Sequence, residues 1–218
     1  MTRQELRNKL ARAMDTETSD PAPWSTTELD QVLGEAHQVL CELTGMVERT
    51  FYLPLRAATW YYKLSALSTS IILPRRLMEP NNKRRLRARF LTDLDEERRT
   101  WETVTGDYPE WWAPVGLDWI AISPSPATGG SYLLLDCVCW PDDALGDGQS
   151  LELRPQEEDA LLAYAMADCN LWNWKPQRST ALLNEFASMV PASRMRTRLL
   201  TRQHSPQGSN GNGTDAPQ

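Results

Sequence analysis

Apolar residues recur every three to four positions near the start of this 218-residue chain. That period predicts a short helix over residues 3–14 and a longer one over about 26–45. Ser25 and Glu28 have the spacing of a capping box in front of the longer helix. Gly45 is suited to the left-handed conformation that ends many helices. The chain therefore begins with two predicted helices.

The helical period returns after Pro155, which suits a first helical turn. One helix is predicted directly after this proline and another begins near Ser179. Their predicted buried faces consist of Leu161, Leu162, Ala165, Cys169 and Trp172, and of Leu182, Phe186 and Met189. Pro191 is expected to interrupt the last helical stretch. Residues 205–218 have the composition of a disordered tail.

Between residues 50 and 140 the pattern changes to short runs of aromatic, β-branched or alternating residues, separated by Pro, Gly and Asn. This texture predicts a small antiparallel sheet or barrel. Residues 85–90 alternate between arginine and apolar side chains, which predicts a strand with one basic and one apolar face. The fold class is therefore α+β, with a four-helix core formed by the N- and C-terminal helices and a central antiparallel β-sheet or barrel insertion.

This organisation predicts four segments. Residues 1–48 supply the first helices of the core, and residues 49–150 form the β-rich insertion. Residues 151–204 supply the last helices and an arm, and residues 205–218 form the tail.

Composition narrows the class of protein. The chain is 41% hydrophobic and 24% charged, as in soluble globular proteins, and its net charge of −6 argues against general affinity for nucleic-acid backbones. It contains neither a run of about 18 apolar residues nor the apolar core of a secretion signal at its start. We expect a protein made in the cytoplasm, without a membrane partner. Its cysteines are then expected to be reduced core thiols: Cys41, Cys137, Cys139 and Cys169.

Residues for catalysis or metal binding are scarce. The chain has two histidines, His37 within a predicted helix and His204 beside the predicted tail, so a serine or cysteine hydrolase has almost no base. The Cys137–Cys139 pair lacks the second pair that a zinc site requires. The acidic residues after position 142 do not follow the ligand pattern of a calcium loop. We therefore expect no metal, no cofactor and no catalytic residues.

Clustered carboxylates at positions 95–97 leave a small hydrolase built on Asp and Glu as an alternative. The two arginines that follow at positions 98 and 99 favour ion pairing on a short helix instead.

Tryptophan is unusually frequent, with 9 Trp against 3 Phe. Five tryptophans lie beside turns or strand ends in the middle of the chain: Trp101, Trp111, Trp112, Trp119 and Trp140. Large amphipathic rings in a small sheet favour core packing and subunit contacts. The alternative is a carbohydrate-binding module that stacks sugars on exposed tryptophans.

Five short motifs follow one another along the chain. They are a W-S-x-x-E-L helix start, a Leu-Asp segment ending in Trp, a G-x-x-P-x-W-W turn, an I-x-P-x-P strand exit and a late L-x-x-Y-A helix. In this sequence they are Trp24–Leu29, Leu94–Trp101, Gly106–Trp112, Ile122–Pro126 and Leu161–Ala165. In this order the chain resembles the head-to-tail adaptor proteins of tailed phages, including the tail tubular protein A type of short-tailed phages. The basic segment 75–89 departs from the family pattern.

The resemblance implies a structural virion protein at the head–tail interface. Such adaptors form a dodecameric ring beneath the portal protein and contact the tail nozzle or tail-tube protein. DNA passes through the lumen without specific binding. The resemblance also implies no cofactor and no catalysis.

A ring of head-to-tail contacts requires two different complementary faces on each chain. Residues 75–89 contain seven Lys and Arg against one Glu, whereas residues 142–159 are strongly acidic. Our hypothesis is that these segments pair between neighbours, with Trp111 and Trp112 bracing the contact. The residues proposed for it are Arg84, Arg85, Arg87, Trp111, Trp112, Asp142, Asp143, Glu157 and Glu158. The alternative is that both segments are solvated surfaces.

The resemblance also implies a C-terminal segment that docks on the portal. The candidates are Arg194, Arg196, Arg198, Leu199, Leu200 and Arg202, a basic run with two apolar anchors. The alternative is a basic arm that touches packaged DNA.

Overall fold

The computed structural model describes residues 1–15, 24–81, 83–97, 99–142, 148–153 and 157–190. Its helices are α1 (Arg3–Asp15), α2 (Thr26–Thr44), α3 (Leu91–Glu97), α4 (Glu158–Trp172) and α5 (Pro176–Met189). Its strands are β1 (Glu48–Pro54), β2 (Tyr61–Lys63), β3 (Ile71–Met78), β4 (Arg87–Ala88), β5 (Thr105–Gly106), β6 (Trp111–Val115), β7 (Trp119–Ser123), β8 (Ser125–Pro126) and β9 (Tyr132–Cys139). The mixture of helices and strands confirms the α+β class.

Helix α2 begins and ends as its sequence predicts. The Ser25 hydroxyl oxygen accepts a hydrogen bond from the Glu28 amide at 3.3 Å, and the Glu28 carboxylate accepts one from the Ser25 amide at 2.8 Å. These contacts hold the pKa of Glu28 below its usual range. Gly45 adopts φ 61° and donates its N–H to the Cys41 carbonyl at 2.7 Å. Both ends of the helix are thus satisfied locally.

Segments from both ends of the chain share one apolar cluster. Its buried members are Leu6, Leu10 and Met14 of α1, Leu29, Val32, Leu33, Ala36 and Leu40 of α2, Ala160, Leu161, Ala163, Ala165 and Cys169 of α4, and Phe186 and Val190 at α5. Ion pairs support the same contacts, since the Met1 ammonium lies 3.1 Å from Glu158 and Arg7 lies 2.8 Å from Asp30. Helices that precede and follow the β-rich middle in sequence therefore pack into one cluster.

Helix α5 differs from its prediction. It begins at Pro176, three residues before the expected start, because proline fits the first turn of a helix. Phe186 is buried as expected, but Met189 is 40% exposed. The helix ends at Met189, and Pro191 lies outside the described residues.

The strands form open sheets rather than a closed barrel in the described part of the chain. One sheet has the order β1-β9-β3 and is antiparallel throughout. A second has the order β2-β7-β6-β4, in which the β4–β6 pair is parallel. A third pairs β5 with β8 in parallel. The barrel alternative is therefore not confirmed, and the sheets are only partly antiparallel.

The strand predicted over the alternating segment 85–90 is only partly formed. It contributes the two residues of β4, and Phe90, expected on an apolar face, is 41% exposed. The eight-residue strand β3 contains Pro74. Proline is tolerated there since β3 is an edge strand of its sheet.

The inner face of the β1-β9-β3 sheet builds a second core. Leu53, Leu77 and Leu135 pack there with Cys137, and Cys41 extends the cluster onto α2. All four cysteines are free and buried, as predicted. Burial raises the pKa of Cys137 and of Cys169 to about 12, so these thiols stay protonated and unreactive near neutral pH. None of the described helices combines the length and the apolar character needed to cross a membrane.

The cap of α2 yields a stability prediction. Replacing Ser25 by alanine removes the hydroxyl that accepts from the Glu28 amide and donates to the Glu28 carboxylate at 2.7 Å. We expect the free energy of unfolding to fall by about 1 kcal/mol. Urea denaturation followed by far-ultraviolet circular dichroism measures it.

Thr27→Ala is the matched control, because Thr27 is exposed in the first turn of the same helix and its loss is expected to stay within about 0.5 kcal/mol. Since folding lowers the pKa of Glu28, its share of the cap is present above the ordinary value of 4.5 and is lost as the pH falls through the folded-state pKa. The Ser25→Ala penalty should therefore shrink in acid. Equal losses in both variants would contradict the capping account.

Candidate interaction surfaces

The two adjacent tryptophans of β6 face opposite sides of their sheet. Trp112 is 4% exposed and belongs to the sheet core. Trp111 is half-buried, and the guanidinium groups of Arg87 and Arg89 lie 4.8 and 3.8 Å from the centre of its ring. The parallel β4–β6 pairing causes this contact, since it sets Arg87 directly opposite Trp111. Both arginines therefore make cation–π contacts within the chain.

Other basic residues of segment 75–89 also have partners within the chain. Arg76 donates from Nε to Asp136 at 2.6 Å, and Arg75 pairs with Glu48. Arg84 lies 3.7 Å from Glu110 in a largely exposed pair. Arg85 forms an isolated backbone bridge to Met78, and its side chain is exposed. Carboxylates of the same chain thus pair with Arg75, Arg76 and, loosely, Arg84.

The acidic segment is likewise engaged in part within the chain. Glu158 binds the N-terminal ammonium, and Glu157 is only 7% exposed. Glu152 pairs with Arg49 at 3.0 Å. Asp142 is exposed and lines a small depression beside His37. Asp143 lies outside the described residues.

Arg84 and Arg85 lie at the opposite end of the β1-β9-β3 sheet from Asp142. Arg84 and Arg85 follow the C-terminal end of β3, and Asp142 follows the C-terminal end of β9. Because β3 and β9 are antiparallel over eight residues, these ends are about 25 Å apart. The structure therefore does not bring Arg84 or Arg85 together with Asp142 within one chain. Separate faces are what a head-to-tail contact requires.

The structure also places the other predicted tryptophans and tests for a metal site. Trp101 is 3% exposed and donates its indole N–H to Asp95 at 2.8 Å, so this carboxylate of α3 anchors a core ring. Trp140 is half-buried and Trp119 is 43% exposed. Across the described ranges, no group of three or more His, Cys, Asp or Glu side chains could hold a metal ion. The proposed portal-docking residues between 194 and 202 lie outside the described residues.

Sequence reasoning missed an aromatic surface on the outer face of the β1-β9-β3 sheet, which we call the tyrosine face. It comprises Tyr52, Pro54, Met78, Tyr132 and Leu134. The strand pairing aligns Leu134 with both Tyr52 and Met78. Tyr52 and Tyr132 meet edge to face with ring centres 5.2 Å apart, and they are 66% and 42% exposed. The outward positions of β1, residues 50, 52 and 54, were the signal that could have revealed it.

A cleft of about 190 Å³ opens at the end of the tyrosine face. It is lined by Leu55, Glu79, Pro80, Asn81, Tyr108, Gly130, Ser131, Tyr132 and Leu133. Its walls are mainly apolar and aromatic, while Glu79 and Asn81 supply polar atoms. Glu79 is only 8% exposed, whereas Tyr108 is 49% exposed at the rim.

A second unpredicted surface lies at the turn between α4 and α5, and we call it the tryptophan hairpin. Leu171, Trp172 and Trp174 are 56%, 67% and 92% exposed there. Trp172 was expected on the buried face of α4, but the last α4 residue in the helical cluster is Cys169. Trp172 donates a hydrogen bond to Asp168, whose pKa is raised by burial and by nearby Glu35 despite that bond. Its indole is therefore fixed beyond the end of the core.

The turn itself is held in place by backbone and side-chain contacts. Trp174 adopts φ 57°, a left-handed conformation that is uncommon for a residue other than glycine. The Lys175 amide donates to the Asn170 carbonyl at 2.9 Å, and the fully buried Asn170 donates from its side chain to the Met166 carbonyl at 2.8 Å. These hydrogen bonds fix the backbone of the turn, and the Trp174 side chain projects from it into solvent.

Comparison with known proteins adds no relative: neither a scan against protein-family models nor a search of curated proteins finds a match to this chain.

The arginine contacts of Trp111 yield a measurable coupling. In a double-mutant cycle of Arg89→Met and Trp111→Leu, we expect a coupling of about 0.5–1 kcal/mol in the free energy of unfolding, because the guanidinium lies 3.8 Å from the ring centre. Denaturant unfolding of the four proteins measures it. The cycle Lys63→Met and Trp119→Leu is the control, since that cation lies 6.0 Å away and both residues are exposed. Additive effects at Arg89 and Trp111 would contradict the assigned contact.

Proposed function

We propose that this protein is a structural virion protein, a head-to-tail adaptor. In this proposal twelve copies form a ring that joins the portal to the tail and lines the DNA exit channel. The protein is made in the host cytoplasm, becomes part of the virion at the head–tail interface and catalyses no reaction. The observation that carries the proposal is the exposure of two aromatic surfaces, the tyrosine face and the tryptophan hairpin, on separate elements of one chain.

The arrangement of helices and strands supports this role, because the helices and the β-rich insertion have separate parts in it. In the proposal, α1, α2, α4 and α5 act as a four-helix core, and the β-rich insertion between α2 and α4 carries the contact surfaces. Segments distant in sequence close the core, as the pairing of Met1 with Glu158 illustrates. Trp112 fills the sheet core, and Trp111 braces β4 against β6 through its arginine contacts. A subunit fastened in this way can meet its neighbours as a rigid body.

The charged segments act as secondary contacts in this proposal. Arg85 and Asp142 are exposed at opposite ends of the sheet and can select the register between neighbouring copies. Arg84, Arg87 and Glu158 already make contacts within their own chain. The net charge of −6 per copy discourages DNA from adhering to the channel wall. The basic run of residues 194–202 docks on the portal.

The alternative of a carbohydrate-binding module has fewer rings than first suggested, since Trp119 is the one exposed member of the five tryptophans. Trp101 and Trp112 are buried, and Trp111 is covered by two arginines. The exposed Tyr108 and Tyr132 beside the cleft are the feature that favours a sugar. Oligosaccharide titration followed by aromatic fluorescence separates the two functions.

The adaptor proposal is tested by electron microscopy of the full chain mixed with the portal rings of its own virion. We expect a second ring of density with twelve-fold symmetry beneath the portal. A chain that ends at residue 191 should remain folded, because the described core ends at Val190, but should no longer attach. Circular dichroism of the shortened chain is the control for folding. Portal rings that stay bare, together with saturable quenching by oligosaccharides, would contradict the proposal.

A further inference from the structure

We infer that neighbouring copies of this chain contact each other by inserting Trp174 of one copy into the cleft of the next. The inference rests on the proposed function and names the contact that builds its ring. The tryptophan hairpin is the projecting half of this contact, and the tyrosine face with its cleft is the receiving half.

The size of the cleft suits a single aromatic ring. At about 190 Å³ it is smaller than the range of about 300–1,000 Å³ typical of sites for drug-sized ligands. Apolar and aromatic walls from Leu55, Tyr108 and Tyr132 suit an indole. Tryptophan also requires an acceptor for its N–H when buried. The carboxylate of Glu79 and the amide oxygen of Asn81 are acceptors in the same cleft.

The tryptophan hairpin offers a side chain that can enter such a cleft. Trp174 is 92% exposed, the highest value among the exposed large apolar side chains of the described chain. Its left-handed backbone, fixed beside the Lys175–Asn170 bond, costs free energy that an exposed ring does not recover within the monomer. Leu171 and Trp172 flank it and can cover the rim.

The two surfaces supply a substantial share of the area that a specific contact needs. A fully exposed tryptophan or tyrosine buries about 150–250 Å² when it is covered. Scaled by their exposed fractions, Trp172 and Trp174 on one side, and Tyr52, Tyr108 and Tyr132 on the other, supply roughly 240–400 Å² per partner. A standard interface buries about 800 Å² per partner. The aromatic rings alone thus provide roughly a third to a half of it.

A second copy is the occupant because projection and cleft occur on the same chain. A projecting apolar group that fits a pocket elsewhere on the same molecule generates a head-to-tail contact, which closes into a ring or extends into a filament. The predicted charge contact is weakened because Arg76, Arg84 and Glu158 already have partners within the chain. The insertion of Trp174 into the apolar cleft therefore supplies most of the affinity between neighbouring copies. The exposed charges at Arg85 and Asp142 set the register of one copy against the next.

The first test compares self-association of the full chain and three variants by sedimentation velocity over a range of concentrations. Trp174→Asn removes the ring but tolerates the left-handed backbone. Tyr108→Asp places a charge on the cleft wall, in a loop where it should not disturb the fold. Trp119→Ala is the control, since Trp119 is exposed on β7, outside both surfaces. We expect about tenfold or greater weakening for the first two variants and no change for the control.

Mixing the two defective variants separates a head-to-tail contact from a symmetric one. Trp174→Asn retains an intact cleft, and Tyr108→Asp retains an intact tryptophan. The mixture should therefore form a one-to-one pair and nothing larger, because only one productive contact is possible. Failure of the mixture to pair, while the wild-type chain associates, would overturn the inference.

Disulfide trapping checks the contact directly. A chain carrying Leu171→Cys and Ser131→Cys, which keeps both Trp174 and Tyr108, should give a covalent ladder of multimers with oxidised glutathione, whereas a Trp119→Cys and Ser131→Cys chain should not. The native cysteines are buried and do not compete. If the wild-type chain forms rings on the portal and the Trp174→Asn variant assembles equally well, the proposed contact is overturned but the adaptor function is not. A wild-type chain that neither associates nor cross-links and leaves the portal bare would refute both.

Discussion

Strand β9 lies between β1 and β3, and its alternating side chains face two environments. Leu133, Leu135 and Cys137 point inward and are at most 1% exposed. The outward residues divide into a polar half, where Asp136 binds Thr50 at 2.7 Å and Arg76 at 2.6 Å, and an apolar half at Tyr132 and Leu134. One register therefore seals the sheet core and exposes the tyrosine face at the same time. A slip of one residue would destroy both.

Local pairing of charges gives the molecule its second constraint. Arginines that the sequence presents as one basic segment are distributed among Glu48, Asp136, Glu110 and the ring of Trp111. Surface ion pairs of this kind contribute little to stability individually, but they leave fewer free charges for recognition. Exposed aromatic rings then remain as the surfaces with the most free energy to gain from contact. The proposed role in assembly rests more directly on these rings than on the charged segments.

Sequence signals predicted the parts of the fold that are stabilised by contacts between residues close in sequence. Ser25, Glu28 and Gly45 define α2 because each satisfies backbone groups within a few residues. The bounds of strand β3 do not follow from local signals, because its Pro74 is acceptable only at a sheet edge, which is a property of the tertiary arrangement. The exposure of Trp172 depends on where the helical cluster ends, and the tyrosine face depends on the pairing of β1 with β9. No short motif encodes either.

Hydrogen–deuterium exchange of the full chain at low and high protein concentration tests the central claim most directly. If the chain acts by fitting against copies of itself, amide protection should rise with concentration in residues 79–81, 106–109 and 130–133 and in residues 171–175. The two groups should gain protection together, because they form the two halves of one contact. Exchange that is independent of concentration in both groups, under conditions where the chain assembles, would contradict the account.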